Sequence, residues 1–216
     1  MDGSPEIVVQ SEMMPKIREF HTSESTMLTT KLLHAKMQDG RPTFNFMDLR
    51  RLSICLEDER NIRYLLQNAK LLERLHLSVD SGQSLVGLLS PGARTLKVLG
   101  LTIFLYIKRR SVFLGGLCEE LEAMAGDNML EALSLDVSVD DRETEDFIGS
   151  IIENVGKVLV NPGWSALRQV SFNVSIIDWG DGPKLSKSLQ SLPDKYLSHL
   201  SKLESVAFNY SVCLCY

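Results

Sequence analysis

Four histidines, four cysteines and one dense run of acids are the residues from which a reactive or metal-binding site would have to be built. A zinc site needs a set of such ligands converging on one ion, with bonds near ~2 Å. Cys55, Cys118, Cys213 and Cys215 are scattered along the chain, and the single Cys213-x-Cys215 spacing lacks the second ligand pair that a zinc site requires. His21, His34, His76 and His199 fall in no metal-ligand motif. The run Asp136, Asp140, Asp141, Glu143, Glu145 and Asp146 has neither the loop glycine nor the terminal glutamate of a calcium-binding hand. It suits a helix start instead, with Asp140 or Asp141 as the cap and the later acids favourable to the helix dipole. Gly149 to Lys157 (GSIIENVGK) has six residues between its glycines and no Ser or Thr after the lysine, so it cannot cradle phosphate as a nucleotide loop does. Gly115-Gly116 lacks a neighbouring nucleophile elbow, which leaves close packing or a kink as its use. No catalytic set converges, and no enzyme activity, metal or cofactor is expected.

Composition narrows the remaining classes. The chain has 216 residues, is 44% hydrophobic and 24% charged, and carries a formal net charge of −5. An acidic balance disfavours a nucleic-acid partner, because neutralising phosphates needs a concentrated basic surface. The one basic triplet, Lys108-Arg109-Arg110, reads as a solvated loop. Residues 1–13 lack the basic start and apolar core of a signal peptide, and no stretch of about 18 apolar residues could span a membrane. A cytoplasmic or nuclear protein with reduced thiols is expected. The two glycosylation spacings, Asn173-Val-Ser175 and Asn209-Tyr-Ser211, fall in strand-like runs and read as chance.

The elements that would position any site follow from an internal repeat. An apolar-x-x-apolar-x-apolar unit recurs seven times: Ile17/Phe20/Thr22, Leu49/Leu52/Ile54, Leu72/Leu75/Leu77, Leu96/Leu99/Leu101, Leu130/Leu133/Leu135, Leu167/Val170/Phe172 and Leu203/Val206/Phe208. Only Thr22 breaks the apolar rule. Alternation continuing through Val79 or through Val137 and Val139 marks each unit as a strand. Between them, apolar residues at three- and four-residue spacing predict helices over Arg60 to Ala69, Ser111 to Met124 and Glu145 to Leu159. Turns rich in Gly, Pro and Asn separate the two kinds of segment. Residues 1–13 are expected to be a tail, and 14–216 one domain of about seven irregular repeats.

These strands resemble leucine-rich repeats, and their long, irregular spacing is similar to the repeat region of F-box proteins of the fungal type. The usual Asn or Cys after the third apolar position is missing. The resemblance implies an α/β solenoid, with parallel strands on its concave face and helices on its convex face. It also implies a protein-interaction module serving as the substrate-recognition part of an F-box-type ubiquitin-ligase adaptor. No segment before Ile17 is long or apolar enough to be an F-box, so a Skp-type adaptor is a partner only if an F-box exists in the full product. The alternative is a stand-alone repeat scaffold or gene fragment with no ligase role. The apolar last strand, Val206 to Tyr216, lacks the polar outer face of a capping repeat, and truncation at the C-terminus is expected.

If the second and third apolar positions face the core, the residues between them face the concave surface in three columns. The first runs Glu19, Arg51, Arg74, Val98, Ala132, Gln169 and Ser205; the second His21, Ser53, His76, Gly100, Ser134, Ser171 and Ala207; the third Ser23, Cys55, Ser78, Thr102, Asp136, Asn173 and Asn209. From these, Arg51, Ser53, Arg74, His76, Ser78, Thr102, Ser134, Asp136, Gln169, Ser171 and Asn173 are the candidate contacts for a protein ligand. Crowding between parallel strands about 4.8 Å apart accounts equally for the short side chains. Trp164 and Trp179 sit in turns, where an indole could anchor a partner or cap the core.

Overall fold

The computed structural model describes residues 16–22, 31, 33, 35–36, 42–55, 59–80, 83–105, 116–140, 142–177, 182–197, 200 and 205–215. Seven strands alternate with helices in an α/β arrangement: β1 (Glu19–His21), β2 (Arg51–Cys55), β3 (Arg74–Asp80), β4 (Val98–Leu105), β5 (Ala132–Asp140), β6 (Gln169–Ile177) and β7 (Ala207–Cys215). They form one sheet in strict sequence order, and every pairing is parallel. Parallel neighbours need a crossover between them. Those crossovers carry α1 (Glu59–Asn68), a 3-10 turn (Ser90–Gly92), α2 (Leu117–Met124), α3 (Glu145–Val160), and α4 (Gly182–Leu189) followed by α5 (Leu192–Tyr196). The expected helix over Arg60 to Ala69 is α1 and that over Glu145 to Leu159 is α3, whereas the one expected from Ser111 to Met124 is shorter, beginning at Leu117 with Gly116 as its N-cap. No described helix is long and apolar enough to cross a membrane.

Among the described residues, only one face of the sheet is packed. Along β5 and β6 burial alternates strictly, with Leu133, Leu135, Val137 and Val139 buried and the intervening residues partly exposed. Leu52, Ile54, Leu75, Leu77, Leu99, Leu101, Val170 and Phe172 join the same core, as do the repeat-initial residues Leu49, Leu72, Leu96, Leu130 and Leu167. Helices close it from the same side through Ile62, Leu65, Leu121, Met124, Ile148, Ile152, Val155 and Leu189.

Polar groups tie the crossovers to this core. Glu120 of α2 is buried and accepts the backbone N–H of Gly87, of Leu89 at 2.7 Å and of Ser90 at 2.9 Å, so one carboxylate serves the start of the 3-10 turn. Asn128 accepts from Leu130 N–H and donates to the carbonyls of Met124 and Gly163, joining the turn before β5 to the turn before β6. Gly163 has φ +131°, and a Cβ there would lie 2.6 Å from the backbone nitrogen of Gly126. Gly116 packs against the backbone at Leu85, as close packing required of the glycine pair; Gly115 lies outside the described residues.

Two expectations are corrected. The cap of α3 is Thr144, whose hydroxyl accepts the Phe147 N–H, whereas Asp140 ends β5 and accepts from Arg142 N–H; Asp141 lies outside the described residues. A cap must precede the first helical turn directly, and before that turn begins Glu143 N–H donates back to the Asp140 carbonyl at 3.0 Å. The seventh repeat is also shifted by two residues. Val170 pairs with Phe208, not Val206, and Gln169 with Ala207, not Ser205. The two-residue period keeps every side chain on its expected face despite the slip. Leu203 of the seventh unit and Ser23 of the third column lie outside the described residues.

Candidate functional site

The unpacked face of the sheet is where the candidate residues converge. Pairing registers place Glu19, Arg51, Arg74, Val98, Ala132, Gln169 and Ala207 in one row across the strands. His21, Ser53, His76, Gly100, Ser134, Ser171 and Asn209 form the next. Cys55, Ser78, Thr102, Asp136, Asn173 and Ser211 form the third. All eleven candidate contacts therefore share one surface, and the two-residue slip changes only the β7 members. The face is wider than those three rows, because Asp80, Phe104, Ser138, Ser175 and Cys213 make a fourth by register. The continued alternation in β4 to β6 was the signal for it.

Hydrogen bonds run between strands within these rows. Asn173 donates to Asp136 Oδ1 at 2.6 Å and accepts from the Ser211 hydroxyl at 2.7 Å, chaining β5, β6 and β7. His76 Nε2 lies 3.0 Å from Thr102 Oγ1. The imidazole reaches across β4 because Gly100 leaves it room: a Cβ at Gly100 would lie 2.5 Å from His76 Nδ1. Ser175 and Cys213 share a contact of 3.2 Å. Arg51 pairs with Glu19 at 3.0 Å. The result is a surface of short, mutually bonded polar groups with its long cationic side chains gathered on β2 and β3.

Other chemistry-bearing residues do not assemble. Among the described residues no group of three His, Cys, Asp or Glu could hold a metal ion. His21 and His76 are separated by the rung of Ser53. Burial, and then the charges of Glu122 and Glu119, push the Cys118 thiol above its ordinary pKa and away from the reactive thiolate. Trp164 caps the core, buried with Nε1 donating to the Val158 carbonyl; Trp179, His34, His199 and Lys108-Arg109-Arg110 lie outside the described residues. A shallow pocket of about 220 Å³ opens at the N-terminal ends of β3 to β5, between Leu71, Glu73, Arg94, Thr95, Lys97 and Met129, on the strand ends and not on the polar face. No family profile matches the sequence, and a comparison with curated proteins returns no match.

Proposed function

We propose that the chain is an irregular leucine-rich-repeat solenoid whose open strand face binds another protein, acting as the substrate reader of an F-box-type ubiquitin ligase. The observation that carries this reading is the strict sequential order of seven parallel strands with one face packed and the other left open by the described residues. Right-handed crossovers, the near-universal rule, place every connection of such a sheet on one side. A doubly wound sheet reverses its order and covers both faces. The face left open here is broad, half-exposed and hydrogen-bonding, which suits a shaped protein surface or an extended segment better than a small molecule needing a concave apolar site.

The ligase connection rests on the spacing of the repeats alone. The test is to tag the gene product in its native cell, purify it, and read its length and its co-purifying proteins by mass spectrometry. A longer chain arriving with a Skp-type adaptor and a cullin supports the reader. A 24.2 kDa chain with neither discards it and leaves a repeat scaffold.

A further inference from the structure

We infer that Arg51 and Arg74 are the anchoring pair for anionic side chains of an extended partner segment crossing the open face, an inference that rests on the reading of that face as protein-binding. The two arginines are direct neighbours on adjacent strands. Like charges placed so are repulsive. In the row just before the strands the signs alternate from Arg50 through Glu73, Lys97 and Glu131 to Arg168, and like charges meet there once, at Arg18 and Arg50 on its first two rungs. Arg50 and Glu73 form an ion pair at 2.5 Å in that row.

Among the described residues Arg51 has one counter-charge, Glu19, at 3.0 Å. Arg74 is exposed, and among the described residues its guanidinium has no ion pair or hydrogen bond. Arg18, also exposed, lies just before β1 in the row of Arg50 and not in that of Arg51. A chain of net charge −5 thus leaves an unneutralised cation, Arg74, beside the Arg51–Glu19 pair at one corner of its open face. Fold stability does not account for that. A guanidinium fork pairs two oxygens of a carboxylate or phosphoryl group at once, the geometry such a corner is equipped to supply.

The neighbouring surface gives the ligand its shape. Beyond Arg74 the rows continue as Val98, Ala132 and Gln169 and as Gly100, Ser134 and Ser171, of which all but Gln169 are short side chains that leave room for a main chain to pass. His76 turns the Nδ1 edge of its ring toward Gly100 between the two regions. Asp136 on β5 carries the opposite sign, with Asn173 already bound to it. The segment therefore lies with its acidic end at β2 and β3.

The test is fluorescence anisotropy at low salt with labelled hexaglutamate, a phosphoserine-containing hexapeptide and a single-stranded oligothymidine. The wild-type chain is expected to bind at least one peptide, and the Arg51→Gln/Arg74→Gln variant to lose roughly tenfold or more in affinity. Arg94→Gln, which removes an exposed arginine paired elsewhere with Asp127, should change nothing. Binding of hexaglutamate assigns the anion to carboxylates; binding of the phosphopeptide alone assigns it to phosphoryl groups. Equal affinity of the double variant, no peptide binding by the wild type, or oligothymidine bound as tightly as the peptides would each overturn the inference. Arg74→Gln alone, which breaks no pair, serves if the double variant melts early. Native-cell partners retained by the double variant would sink the anchoring pair and leave the protein-binding reading standing. A wild-type chain that captures no protein, yet binds hexaglutamate through Arg74, would do the reverse.

Discussion

Leu99 and Ser134 sit on neighbouring strands but on opposite faces of the sheet, and their energetic roles differ accordingly. Leu99 and Leu133 are essentially inaccessible to solvent, at 0% and 1% exposure. Truncating either to alanine removes buried methyl groups and leaves a cavity, at a cost of about 2–5 kcal/mol. Ser134→Ala removes a half-exposed hydroxyl and should cost less than about 0.5 kcal/mol. Urea denaturation of both variants checks the face assignment, and equal destabilisation would refute it. This distinction was legible in the sequence, because alternation with a period of two assigns faces without knowledge of the neighbours. His76 was legible only in part. Its row followed from the repeat, but its bond to Thr102 depends on the missing side chain of Gly100, one rung away and 24 residues later in the chain.

At the scale of elements, the crossovers depend on a few polar clamps that no local pattern announces. Glu120 lies within the apolar stripe of α2, between Leu117, Leu121 and Met124, where a lone acid reads as a solvated interruption. Its partners are backbone amides some thirty residues earlier, so only the folded chain reveals them. Glu120→Ala leaves three amides without their acceptor and should cost about 3–5 kcal/mol, against a smaller loss for Glu120→Gln, which keeps one carbonyl oxygen. Denaturation midpoints compared across the wild type and both variants test the order; a neutral alanine variant would show that water replaces the carboxylate. The register of β7 was illegible for a different reason. Val206 and Phe208 both satisfy the apolar rule, two residues apart, and only pairing with Val170 decides between them. The missed cap has the same origin, since Asp140, Asp141 and Thr144 are all competent and the turn geometry selects the last.

The molecule as a whole is a sheet in which each strand touches only those before and after it in the chain. A repeat detectable by eye made the strand count and direction legible, because periodic apolar spacing survives variable loops. The ligand was not, since a surface of serine, threonine and asparagine carries little recognisable motif. Among the described residues the strands also lengthen along the chain, from three residues in β1 and five in β2 to nine in each of β5, β6 and β7. Protection of backbone amides against deuterium exchange should follow that taper. Amides of β5 and β6, flanked on both sides by long ladders, should exchange at rates set by global unfolding, and those of β1 and β2 should open first by fraying. The cationic corner would then belong to the end of the protein that opens most readily, so an anchored ligand would tighten the loosest strands and slow their exchange selectively.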